Sequence, residues 1–129
     1  MIILSVGKIK RIILFLLVFL LFYTRFIGLN WGLPYPFHPD ERNMVVAVQQ
    51  LHCEISNLKD CFNPHFFAYG QLPLYLGYAT IYLIKFFDGD LNTPIGFQEA
   101  TIALRAISAL ASVLLAYFIV KIIQLLNKN

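Results

Sequence analysis

The stretch Phe37-His38-Pro39-Asp40-Glu41-Arg42 concentrates the side chains of this sequence that could do chemistry. Two adjacent carboxylates, Asp40 and Glu41, come soon after a first apolar segment, where hydrocarbon would give way to water. Asp40 follows a proline and precedes a helical pattern, which predicts it as a helix N-cap, a position aspartate favours. A helix N-terminus stabilises an anion, so the same placement keeps Asp40 ionised and able to take a proton as a general base. Neighbouring residues of a helix do not face the same way. Glu41 therefore points elsewhere, where it would bind a cation or position a substrate. Two readings stand side by side: a solvated loop whose aspartate only caps a helix, and a pair of catalytic carboxylates at a lipid–water interface.

Other polar and aromatic residues could serve such a site. Arg42, His65, Tyr69 and Arg105 are the candidate substrate-binding residues. His65, Phe66, Phe67 and Tyr69 form an aromatic cluster, suited to interface packing or to stacking against a sugar. Arg105 opens a long apolar segment, where a cation either snorkels or meets an anion such as phosphate. A divalent metal ion is the one cofactor to consider. His38 and Glu41 are its foremost candidate ligands, with Asp40 and His65 beside them, in a set that suits zinc or a manganese-like ion. Their spacing is not that of a compact metal motif.

The elements that must position these residues belong to an all-α integral membrane protein. Of 129 residues, 59% are hydrophobic, 16% aromatic and only 13% charged, against about 25% charged in an ordinary soluble domain. The net charge is +3. The basic residues form no stripe and no nucleic-acid module, so nucleic acid is not an expected partner, whereas the lipid bilayer is. The first apolar segment, residues 12–29, follows Lys8, Lys10 and Arg11. No small-residue cleavage site succeeds it, so it reads as a retained anchor. Residues 30–71 make an external loop carrying a short amphipathic helix at 41–51. There Met44, Val45, Val48, Leu51 and His52 share a face opposite Asn43, Gln49 and Gln50. That helix is too short and polar to span, so it is expected to lie on the membrane surface. Cys53 and Cys61 follow, either bridged or free, and spacing alone does not decide between these states.

Residues 72–87 form a short apolar helix and residues 102–126 a longer one. Lys8, Lys10 and Arg11 at one end and Lys121 and Lys128 at the other place both ends in the cytoplasm by the positive-inside rule. Asp88 and Asp90 then lie outside. The expectation is a multi-pass protein of the cell membrane with two full spans and a surface-lying 72–87 helix. Three spans are the alternative.

Taken together, these blocks resemble the N-terminal region of C-type membrane glycosyltransferases, in particular protein O-mannosyltransferase-like enzymes and lipid A aminoarabinose transferases. The order that carries the resemblance is a basic N-terminus and first span, Pro39-Asp40-Glu41, and a helix with Ala47 and Leu51. Asn63-Pro64-His65-Phe66-Phe67-Ala68-Tyr69, Leu72-Pro73-Leu74-Tyr75 and Leu104-Arg105-Ala106 follow. It covers nearly the whole chain, although a second proline found in many relatives is absent at Gly70 and Gln71. The resemblance implies transfer of a sugar from a polyprenyl-phosphate donor to an acceptor hydroxyl at the outer membrane face. Asp40 would activate that hydroxyl, Glu41 would be the second acidic residue and Arg105 would sit near the donor phosphate. Such enzymes have many more spans. The resemblance therefore implies a chain that is inactive alone and is completed by further transmembrane segments, as from an adjacent chain. The competing reading is a non-catalytic small membrane subunit or an accessory protein for handling lipid-linked glycans.

Overall fold

The computed structural model describes residues 6–35, 37–51 and 63–127. Cys53, Cys61 and His52 lie outside them. All regular elements among the described residues are helices: α1 (Val6–Phe26), α2 (Pro39–Gln50), α3 (Leu72–Asp88) and α4 (Phe97–Leu126). The chain divides into two compact units, Gly28–Ser108 and the pair of segments Met1–Ile27 and Ala109–Asn129.

In the Gly28–Ser108 unit, α2 and α3 pack together around a small core. Val45, Ala47 and Val48 of α2 meet Leu74 and Ile81 of α3, with Ile95, Ala100, Ala103 and Leu104 completing the cluster. The α3 residues that face inward, Leu74, Gly77, Ile81 and Lys85, recur at helical spacing along one stripe. The apolar face of α2 is therefore turned into the protein, where Val45 and Val48 have no exposed surface. Burial against α3 already removes its apolar surface from water. Gly77 lets these helices approach closely: a Cβ there would stand 3.1 Å from Leu104 Cδ2 and 3.7 Å from Val48 Cγ2.

The end of the first helix and the start of the last differ from expectation. The first helix ends at Phe26 rather than continuing to residue 29, because Gly28 adopts a left-handed backbone (φ 75°) and the chain turns. Successive turns follow, in which Trp31 N–H donates to the Gly28 carbonyl and Tyr35 N–H to that of Gly32. The last helix starts at Phe97, well before residue 102. Glu99 reaches back so that its Oε2 accepts from Gly96 N–H at 2.8 Å, the reciprocal half of a capping box. The third helix lies within one residue of expectation and closes on Gly89 (φ 75°).

Lys85 fastens the α3–α4 connector from within. Its side chain is 6% exposed, and Nζ donates to Thr93 Oγ1 at 2.7 Å and to the Thr93 carbonyl at 3.2 Å. Glu99 Oε1 lies 3.4 Å away. Gln49 of α2 grips the same connector, donating through Nε2 to the Ile95 carbonyl at 2.9 Å.

In the other unit, α1 exposes nearly all of its apolar side chains, including Phe15 and Phe19. Its 21 residues are about 31 Å long. The uncharged part between Arg11 and Arg25 covers only about 20 Å. One described helix, Phe97–Leu126, is long and apolar enough to cross a membrane by length and composition. Only 6% of its most apolar stretch is buried inside the protein. From Leu110 to Leu126 it offers mostly apolar side chains, with Lys121 and Gln124 exposed among them.

Replacing Gly77 by Val should lower unfolding stability by about 1–3 kcal/mol through overpacking against Leu104. Leu104→Ala in the same chain should recover part of that loss, because the two residues share the contact. Thermal unfolding of the single and double variants measures both, and strictly additive losses would refute the contact.

Candidate functional site

The acidic cluster is built on the first turn of α2. Proline at the first helical position has no N–H to leave unsatisfied, and its φ suits a helix. The N-cap is His38, not Asp40: its backbone is extended (φ −116°, ψ 128°) and its Nδ1 accepts from Asp40 N–H at 3.2 Å. The expectation failed because histidine is outside the usual set of capping residues. An imidazole nitrogen without its proton accepts as well as an oxygen does. This makes Asp40 the second residue of the helix and frees its carboxylate from capping.

Glu41 takes a different part. Its two oxygens receive Arg105 Nε at 2.5 Å and Arg105 Nη2 at 2.9 Å, a bidentate pair between side chains 24% and 21% exposed. Arg105 Nη1 also donates to the carbonyls of Leu29 (2.8 Å) and Trp31 (2.7 Å). Four guanidinium N–H groups are thus engaged by the protein itself. The cluster joins three pieces of sequence: the turns after α1, the start of α2 and the first third of α4.

Asp40 remains, 53% exposed, with His38 Nδ1 3.7 Å from its Oδ2. Tyr69 comes to it from the segment before α3. The Tyr69 phenol is held above its ordinary value, first by hydrogen bonding to the Asp40 carboxylate, then by desolvation and by that carboxylate's charge. The Tyr69 ring leans on Phe66 at 5.6 Å, and Phe66 packs against the core. Pro64, fully buried, anchors the same segment.

Arg42 and His65 meet elsewhere, along the outer side of α2. They line an open cleft of about 370 Å³ together with Asn43, Val46, Ala47, Gln50 and Phe66. Asn43 and Gln50 were expected only as the solvated face of the helix, and nothing in their spacing marks a cleft. The expected metal ligands His38, Asp40, Glu41 and His65 are all described, and no three such residues converge on a metal-sized position among the described residues. Glu41 turns to Arg105 and His65 lines the cleft.

No family model, curated protein or solved structure matches this chain. The likeness to C-type glycosyltransferases therefore rests on the sequence blocks named above.

Lysine cannot reproduce a two-pronged pair with a carboxylate while also reaching two carbonyls. Arg105→Lys should therefore destabilise the chain by about 1–3 kcal/mol. Denaturant unfolding in micelles measures this, and an unchanged midpoint would show that the cluster adds nothing to stability.

Proposed function

We propose that this chain is an N-terminal membrane portion of a glycosyltransferase that moves a sugar from a polyprenyl-phosphate donor to an acceptor hydroxyl, with Asp40 as general base. The observation that carries the reading is the half-exposed carboxylate of Asp40, which takes no part in the Glu41–Arg105 pair. Its neighbours on both sides have other tasks: His38 caps the helix and Glu41 holds Arg105. Asp40 is left in the first turn, where the helix dipole favours the anion. A hydroxyl-bearing side chain, Tyr69, already hydrogen-bonds to it. A carboxylate that receives one hydroxyl can receive another, and an acceptor oxygen delivered there would lose its proton as it attacks the anomeric carbon.

In this reading Glu41 and Arg105 are positioning residues that fix the first turn of α2, and so the direction of Asp40. The donor phosphate then needs other cations than the engaged guanidinium of Arg105. α4 crosses the bilayer and α1 crosses with Arg25 snorkelling at the outer face. Lys8, Lys10 and Arg11 stay in the cytoplasm. Residues 30–71 form the external loop, where a lipid carrier presents its phosphate. Further transmembrane segments complete the enzyme.

Asp40→Asn should lower sugar transfer from a polyprenyl-phosphate donor, assayed in membranes, by roughly 10²–10⁴-fold. In the same variant the Tyr69 phenol should titrate nearer its ordinary value, because the hydrogen bond to the carboxylate, and with it the carboxylate's charge, is gone. Full transfer activity in Asp40→Asn would overturn the base assignment. The non-catalytic reading would gain if helix stability, rather than turnover, were what the variant lost.

Topology has its own test. A cysteine placed at position 90 should react with an impermeant maleimide in intact cells. Labelling only after the cytoplasmic face is opened would refute the external placement of the α3–α4 connector.

A further inference from the structure

The cleft on the outer side of α2 has a chemistry that the acidic cluster does not share. Its polar lining is Arg42, Asn43, Gln50 and His65, and its apolar surface is Val46, Ala47 and Phe66. No carboxylate lines it among the described residues. Arg42 pairs with no acid among the described residues, whereas Glu41 and Glu99 each pair with another cation. A guanidinium that is always charged, an imidazole and the Asn43 amide on one concave surface give a local excess of donors. Such a lining attracts an anion with several acceptor oxygens. A volume of about 370 Å³ lies within the range of small-ligand sites. It holds more than a bare anion, and the apolar patch gives the rest of a ligand somewhere to rest.

One wall of the cleft is set in advance. His65 sits in the left-handed region (φ 50°), uncommon for a residue with a side chain. Asn63 Oδ1 holds it there by accepting from His65 N–H at 3.1 Å. The next residue, Phe66, is fixed by packing on the core, and Pro64 before it is buried. Local strain held by surrounding packing is a recurrent mark of functional positions. Here it turns the side chain of His65 to the same cleft as Arg42.

We infer that this cleft is a binding site for a phosphate-type anion, with Arg42 as its fixed charge and His65 and Asn43 as further hydrogen-bonding groups. The phosphate is carried either by a lipid headgroup or by a soluble molecule, and the recognition chemistry is the same for both. The site is separate from Arg105, whose donors are already engaged. It does not require the transferase reading, since binding here is measured without turnover.

The test uses the full chain in nanodiscs of phosphatidylcholine, with the imidazole of His65 and the Nε–H of Arg42 followed by NMR. Inorganic phosphate is titrated in one arm, and phosphatidic acid is incorporated into the disc in the other. Saturable shifts at both residues in either arm are the expected result, and the responding arm identifies the source of the phosphate. Arg42→Gln should weaken that binding at least about tenfold. Asp40→Asn should leave it unchanged, so loss of the transferase reading and loss of this one are told apart. No saturable shift in either arm, or equal affinity in Arg42→Gln, would overturn the proposal. Arg42→Lys guards against a folding artefact: it keeps the charge and should retain part of the affinity.

Discussion

A single guanidinium organises the polar end of this structure. Arg105 enters on a largely apolar helix and is only 21% exposed, so its charge must be met by the protein. The Glu41 carboxylate meets it from one side and two backbone carbonyls from the other. Those carbonyls, of Leu29 and Trp31, are available only because Gly28 ends α1 and frees the following residues from helical pairing. Loss of any one partner would leave a desolvated polar group, which is costlier than the net gain from making the bond. The turns after α1, the first turn of α2 and the early part of α4 are therefore mutually dependent.

The same arrangement divides labour between two neighbouring acids. Glu41 answers the cation, so its geometry is fixed and its basicity is directed inward. Asp40, one residue earlier and about 100° round the helix, faces outward beside His38 and Tyr69. Sequence adjacency thus becomes functional separation. The two tethers on α2, Glu41 to Arg105 near its start and Gln49 to Ile95 near its end, hold the helix that presents both the exposed acid and the cleft.

Much of the element order was legible because it is punctuated locally. Leu72-Pro73 and Asp88-Gly89 bracket α3, and an apolar stripe fills it, so that element lies within a residue of expectation. Gly28 and Gly96 carried the same kind of signal for the end of α1 and the start of α4. Reading those boundaries from hydrophobicity alone passed over both. The cap of α2 was misassigned because histidine rarely caps, and its acceptor capacity depends on a proton that a sequence does not display. The pairing of Glu41 with Arg105 spans 64 residues, and no local pattern encodes a contact at that separation. The cleft was hidden for a related reason. Arg42, Asn43 and Gln50 look like an ordinary wet helix face until residues 65 and 66 are folded against them.

Lys85 shows how the connector between α3 and α4 tolerates change. Its ammonium is shared among the hydroxyl and carbonyl oxygens of Thr93, the Pro94 carbonyl and Glu99, rather than answered by one acid. Neutral oxygens supply most of that coordination, much as they do around a captured cation in a crown ether. Redundancy of this sort lets the acidic partner drift while the lysine stays satisfied. The reverse does not hold, because a shorter or branched replacement for the lysine would leave several inward-pointing oxygens without a donor at once.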